Sequence, residues 1–201
     1  SNNPLYKIKV GETIKVNNLL IAPADTFFPT HIKKNNIPEE HRSSLSIGAI
    51  RFISSKIDDY YEKSNNLPYE YIYLARRKNK WRRLVNEEKI IIKLKNLGFK
   101  IIEPENLSFK EQVKIFRNAK FIVAPNGSSL YNLIFSNPKI KVLIIGQKNL
   151  FNWGGWFGSF KYLGYEFHYL VGKVIGSKNS KHNDYEINIT SLISKIKQII
   201  K

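Results

Sequence analysis

Cysteine is absent from the chain. That excludes disulfides, thiolate nucleophiles and cysteine-ligated metals, and it suits a reducing compartment. No apolar run approaches the ~18 residues of a membrane-spanning helix, and no secretory signal peptide opens the sequence. The chain starts at Ser1-Asn2 rather than at Met, as expected of a cut piece, so the start of the sequence does not bear on targeting or anchoring segments. No Asp-x-Asp pair occurs, so a metal-bridged diphosphate is not expected. Asp58 and Asp59 are adjacent on an expected helix, where neighbouring side chains diverge and do not share one ion. Neither a solenoid-period repeat nor a low-complexity tract is found. Acidic residues are scarce: 16 Asp+Glu stand against 33 Lys+Arg, a net charge of +17. Such an excess favours anionic partners, whether nucleic acid, acidic lipid or a phosphorylated substrate. A Lys-rich coding bias accounts equally well for scattered lysines such as Lys93, Lys110, Lys114 and Lys195. The arginines are fewer and clustered, so they carry more information.

What is present supports a packed core: 42% of the 201 residues are hydrophobic and 13% aromatic, which argues against disorder. The length fits one domain, or one with an appendage. Two extended segments are expected over residues 5–22, with a turn at Gly11-Glu12. Residues 22–40 read as a loop, rich in Pro and carrying Asp25 and His31. Ser43 to Tyr61 fits a helix capped by Ser43 or Ser44, with Leu45, Ile47, Ile50, Ile53 and Ile57 near helical spacing. A break at Leu67-Pro68 divides an N-terminal unit, residues 1–66, from a main domain, residues 67–201.

From Tyr69 the pattern becomes regular. Strands are expected at 71–75, 99–102, 121–124 and 141–145, with a final one at 165–171. Helices follow Asn86-Glu87, the capping box Ser108-x-x-Glu111, and Gly127. Residues 187–201 form an amphipathic helix, with Leu192, Ile193, Ile196, Ile199 and Ile200 facing the core. Residues 178–184 read as a polar loop. The Trp- and Gly-rich stretch 152–156 fits a packed Ω-like loop, a lid or a docking surface. Repeated β-α-β units predict an α/β fold: a Rossmann-like, mostly parallel sheet with helices on both faces.

The organising stretch is Phe121 to Phe135. Its apolar strand meets a Pro125-Asn126-Gly127 turn, after which Ser128 or Ser129 caps a helix. Free amides and a helix dipole then point at one place, where an anion binds. An ordinary strand-to-helix connection explains the turn alone. Ligands of parallel sheets bind beyond the carboxyl ends of the strands, however, and Arg76, Arg77, Arg82 and Arg83 follow strand 71–75. Guanidiniums bind two phosphate oxygens at once. A solvated basic loop is the plainer account of the cluster; its coincidence with the Gly127 turn favours an anion site.

The ordered run Tyr73-Leu-Ala-Arg-Arg-Lys, Arg82-Arg83-x-x-Asn86-Glu87, Gly98 to Gln112, Ala119 and Asn126-Gly-Ser-Ser-Leu-x-Asn132 resembles glycosyltransferase family 61. That family includes capsular-polysaccharide-type transferases, xylan-decorating enzymes and O-GlcNAc-type transferases. The likeness spans about residues 71–145 and is weaker elsewhere. It implies a GT-B-like arrangement, of which this chain is mainly the C-terminal donor-binding lobe, and an inverting, metal-independent transfer of a hexosyl or pentosyl group. The implied donor is a nucleotide-diphosphate sugar, a UDP-sugar first, and the acceptor a saccharide of the capsule or cell surface. No further cofactor is implied. A cytoplasmic location with peripheral contact to an anionic membrane is expected. Carried over by position, Arg76 and Arg82 hold the diphosphate, Asn86 and Glu87 brace their loop, and Glu103 flanks the base. Ser108, Glu111 and Gln112 shape the rim, although capping explains Glu111 and Gln112 equally well. Asn126, Gly127, Ser128, Ser129 and Leu130 supply the phosphate turn. The family's usual His-Gly-Ala-Gly-Leu reads Asn126-Gly-Ser-Ser-Leu130 here; Asn donates a hydrogen bond but carries no proton as imidazolium does. The catalytic base is assigned to the other lobe, with Asp25 and His31 as weak local candidates. The rivals are a nucleic-acid-binding module, suggested by the charge and by Trp81 among basic residues, and a non-catalytic nucleotide- or polysaccharide-binding relative.

Overall fold

A computed structural model of the chain describes residues 7–18, 46–60, 70–77, 80–148, 158–176, 180 and 182–201. A six-stranded sheet organises them, in the order β2-β1-β3-β4-β5-β6. The strands are β1 Tyr71–Leu74, β2 Lys100–Ile102, β3 Phe121–Pro125, β4 Lys141–Gln147, β5 Glu166–Ile175 and β6 Asp184–Glu186. β1 to β5 run parallel, and β6 pairs antiparallel with the end of β5.

The central strands are continuous apolar runs because both of their faces are covered. Ile72, Leu74, Ile122, Ala124, Val142 and Ile144 form one core with Ile50 and Ile57 of α1 (Ile47–Tyr60). Val113 and Phe116 of α3 (Phe109–Asn118) and Phe160 of α4 (Gly158–Tyr162) join that core. The alternate residues Tyr73, Phe121, Val123, Leu143 and Ile145 pack on the opposite face against α2 (Glu87–Asn96) and α5 (Ile189–Ile200). Helices therefore cover both sides of the sheet.

Local signals place most boundaries. Ser108 and Glu111 close both halves of the capping box that starts α3. Gly98, at φ 82°, stops α2; its N–H donates to the Lys95 carbonyl and that of Phe99 to the Leu94 carbonyl, a Schellman pair that requires a left-handed residue.

Several expectations are corrected. The alternation near residues 5–22 forms no strand over the described residues 7–18, and Val10 is fully exposed. Alternation makes a strand only where another edge supplies the hydrogen bonds. Only the turn at Gly11-Glu12 is found, closed by Glu12 N–H on the Lys9 carbonyl. α1 begins after Ser46, whose Oγ accepts from Ala49 N–H; Ser43 and Ser44 lie outside the described residues. Ile200, expected to face the core, is exposed, and so is Ile53 of α1. β5 runs on to Ile175, and residues 184–186, read as the end of a loop and its sequel, pair with it as β6. The 67–68 break and the stretch 152–156 lie outside the described residues.

The strand order positions a site. The chain leaves β1 for β2 on one side and returns to place β3 on the other. The order thus reverses between β1 and β3, and that switch point opens a crevice beyond their carboxyl ends.

Candidate functional site

Arg76 follows β1 and the Asn126-Gly127 turn follows β3, so the switch point brings them together. Arg76 Nη1 donates to the Asn126 carbonyl at 3.0 Å. The guanidinium lies flat against Gly127: a Cβ there would stand 3.4 Å from Nη1 and 3.5 Å from Cζ. The turn is held to the sheet by Asn126 N–H, which donates to the Ile145 carbonyl at 2.8 Å. Beneath the guanidinium, Glu87 Oε1 accepts from Arg76 N–H at 2.9 Å and from the Tyr73 hydroxyl at 2.8 Å. A buried carboxylate on α2 thus sets the direction in which the chain leaves β1.

The element after Gly127 differs from expectation. Ser128–Phe135 is a 3-10 helix whose N-cap is extended Gly127, not Ser128 or Ser129. Leu130 and Leu133 are both buried, and a spacing of three puts them on one face at three residues per turn. Leu130 N–H closes the first turn on the Gly127 carbonyl at 3.2 Å. The amides of Ser128 and Ser129 precede that bond and are the ones a helix start presents to a ligand. Leu130 itself belongs to the core.

The structure sorts the arginines. Arg77 is paired with Glu88 at 3.2 Å and Glu103 at 3.5 Å. Arg83 forks onto Asp184, with Nε and Nη2 at 2.9 and 2.7 Å from Oδ2. Arg76 and Arg82, the two singled out in the sequence, lie close enough for the charge of Arg82 to bear on Arg76. Burial first, then the charge of Arg82, holds the Arg76 pKa below the usual guanidinium range. Two crowded guanidiniums are an arrangement that an anion relieves. An open cleft of about 310 Å³ borders Arg76, Arg77, Arg83 and Glu88. A second, about 370 Å³, lies at the opposite ends of the strands beside Lys120, Lys139 and Lys141. The first lies at the ends where parallel sheets bind ligands, but it is lined by the Arg76 loop and the start of α2, not by the Gly127 turn or Arg82.

Other expected site residues have structural partners. Asn86 is buried, donating through Nδ2 to the Ile187 carbonyl at 2.7 Å and accepting through Oδ1 from its N–H at 3.2 Å. Glu103 accepts from Asn106 Nδ2 at 2.7 Å and pairs with Arg77. The exposed Glu111 carboxylate accepts from the Ser108 N–H and hydroxyl as a helix cap. Gln112 donates to the Pro104 and Leu107 carbonyls and accepts from Asn132 Nδ2 at 2.7 Å, joining the loop after β2 to the 3-10 helix. Asp25 and His31 lie outside the described residues. Sequence reasoning missed Tyr73 and Tyr185; Tyr73 reads as one more apolar strand position, and β6 is too short for a periodic signal. Among the described residues, no group of three His, Asp or Glu is placed to hold a metal ion. None of their helices is long and apolar enough to cross a membrane.

Burial pushes the Glu87 carboxyl up by more than its two hydrogen bonds and the Arg77 charge pull it down. Its folded pKa therefore exceeds its unfolded one, and its ionisation opposes folding as pH rises between the two. Glu87→Gln keeps the acceptor and removes the ionisation. Its melting temperature relative to wild type is expected to climb from pH 4 to pH 8; a constant difference across that range would contradict this account.

The sequence profile of a family described as Glycosyltransferase 61 matches residues 17–143, well over half of the chain. The match takes in the Arg76 loop and the Gly127 turn and stops before β5 and β6. No curated protein matches the chain.

Proposed function

The chain belongs to glycosyltransferase family 61, and from that membership we propose an inverting transfer from a nucleotide-diphosphate sugar, with the donor's diphosphate seated between Arg76 and the Gly127 turn. Membership makes a sugar donor and an acceptor the substrate classes. The finer reading is supported chiefly by one observation: the Arg76 guanidinium lies against Gly127 at the switch point of a parallel sheet. In transfer, negative charge grows on the leaving diphosphate. Arg76 and the amides of Ser128 and Ser129 are preorganised donors for that charge, Arg82 adds its charge beside them, and all act without a metal. The group deprotonating the acceptor is assigned to the second lobe of a GT-B-like pair. A UDP-sugar donor, a hexosyl or pentosyl group, and an acceptor in capsule or cell-surface polysaccharide at the cytoplasmic side of an anionic membrane complete the reading.

A thermal-shift panel of UDP, GDP, CMP and dTDP tests it. A ligand at a hundred times its Kd stabilises a protein by about 2.7 kcal/mol. For a domain of this size that is a rise of about 5–10 °C. At least one nucleoside diphosphate is expected to reach it. No response to any nucleotide, with a salt-dependent shift by single-stranded DNA or RNA, would replace the transferase reading with a nucleic-acid-binding one.

A further inference from the structure

Two polar atoms near the basic loop are buried and have no hydrogen-bond partner: Arg82 Nε and the Tyr185 hydroxyl. They sit on segments sewn side by side. Arg82 N–H donates to the His182 carbonyl at 3.2 Å, Tyr185 N–H to that of Arg83 at 2.9 Å, and Val85 N–H to that of Tyr185 at 2.9 Å. Leu84 bridges to Tyr185, and the Arg83–Asp184 fork closes the seam. The seam holds Arg82 at φ 58°, a left-handed conformation that non-glycine residues adopt only when their surroundings impose it. Tyr185 is 1% exposed, yet its hydroxyl bonds to nothing, although buried polar groups are almost always satisfied. The charges of both Arg76 and Arg82 bear on it, while burial pushes its pKa far up, so it remains a protonated donor. Arg82 as a residue stays partly exposed while its Nε is enclosed.

We propose that Tyr185 is a binding residue of the anion site: its hydroxyl and Arg82 Nε donate to an oxygen of the diphosphate that Arg76 also holds. The assignment rests on the glycosyltransferase reading and adds to it. It gives the donor site a residue from β6, beyond the family-matched residues 17–143, and it gives the strained Arg82 a task. Access of the oxygen requires the Arg82 side chain to rotate outward, which its partial exposure allows.

Titration calorimetry of the full chain with UDP and with inorganic pyrophosphate tests this, using wild type, Tyr185→Phe, Arg82→Lys and Arg76→Ala. Tyr185→Phe removes an unpartnered buried hydroxyl, so without ligand its melting temperature is expected to equal or exceed that of wild type. Its affinity for the diphosphate is expected to fall about tenfold, the scale of a hydrogen bond to a charged group. Arg82→Lys keeps the charge but lacks Nε and is expected to lose affinity as well. Unchanged affinity in Tyr185→Phe, with binding lost in Arg76→Ala, overturns the Tyr185 assignment alone. A fall in ligand-free stability of Tyr185→Phe that accounts for its weaker binding makes the residue structural and overturns it too. Absence of binding by wild type overturns both this inference and the transferase reading.

Discussion

Replacing Arg76 with alanine is expected to weaken nucleoside-diphosphate binding by about a hundredfold or more. The side chain is half-buried, its Nη1 is fixed on the Asn126 carbonyl at 3.0 Å, and its plane rests on Gly127. It is thus preorganised, and little rotamer entropy remains to be lost on binding. Truncating one member of a hydrogen-bonded, desolvated charge pair costs about 2–5 kcal/mol, and each 1.4 kcal/mol is tenfold. The fold should survive, because the bond from residue 76 N–H to Glu87 uses the backbone and persists in alanine. Arg76→Lys keeps the charge without the planar fork and should fall between wild type and alanine. Calorimetric titration with the nucleotide found in the thermal panel gives the answer. Arg76→Ala binding within threefold of wild type would remove the guanidinium from the site.

The second large effect is on stability. Gly172 lies on β5 where β6 crosses its end. A Cβ there would stand 2.5 Å from the Glu186 carbonyl oxygen, 2.8 Å from Ile187 Cδ1 and 3.1 Å from Tyr185 Cδ2. The nearest of these atoms is backbone, so it does not yield by a change of rotamer. Lys173 pairs with Glu186 at the adjoining position, which pins both strands. Gly172→Ala is therefore expected to cost about 3 kcal/mol, the upper range for overpacking, and to lower the melting temperature by about 6–12 °C. Gly48→Ala is the control: its Cβ would approach only Ser46 Oγ, at 3.5 Å, and alanine is the better helix former. Thermal denaturation of both variants decides. A Gly172→Ala protein melting within a degree of wild type would mean that β6 lies elsewhere. Displacing β6 also loosens its seam with Arg82–Val85, so weaker diphosphate binding should accompany the lost stability.

Different residues show how far the sequence reaches. Phe121 to Ala124 is apolar throughout because both faces of a central strand are covered, and such a run is visible in a string of letters. Ser108-x-x-Glu111 specifies its helix start within one turn of chain, and Gly98 its stop. The pairing of Arg76 with the Gly127 turn was also readable, since both follow strands of one parallel sheet and ligands gather at those ends. Leu130 and Glu111 were readable only in part: each sits at a motif position, but one fills the core and the other caps α3.

The rest depends on partners far along the chain. Arg77 and Arg83 look like Arg76 and Arg82 in sequence; Glu88, Glu103 and Asp184 separate the two kinds, and Asp184 lies 101 residues from Arg83. Asn86 is polar by composition and structural by its contact with Ile187. Alternation over residues 5–10 predicted strands that no neighbouring edge completes over residues 7–18, whereas residues 184–186 became a strand because β5 offered one. Periodicity, caps and turns act over a few residues and so are written locally. An ion pair, a strand edge or a stranded hydroxyl is a relation between distant segments, and its energy exists only once the chain has brought them together.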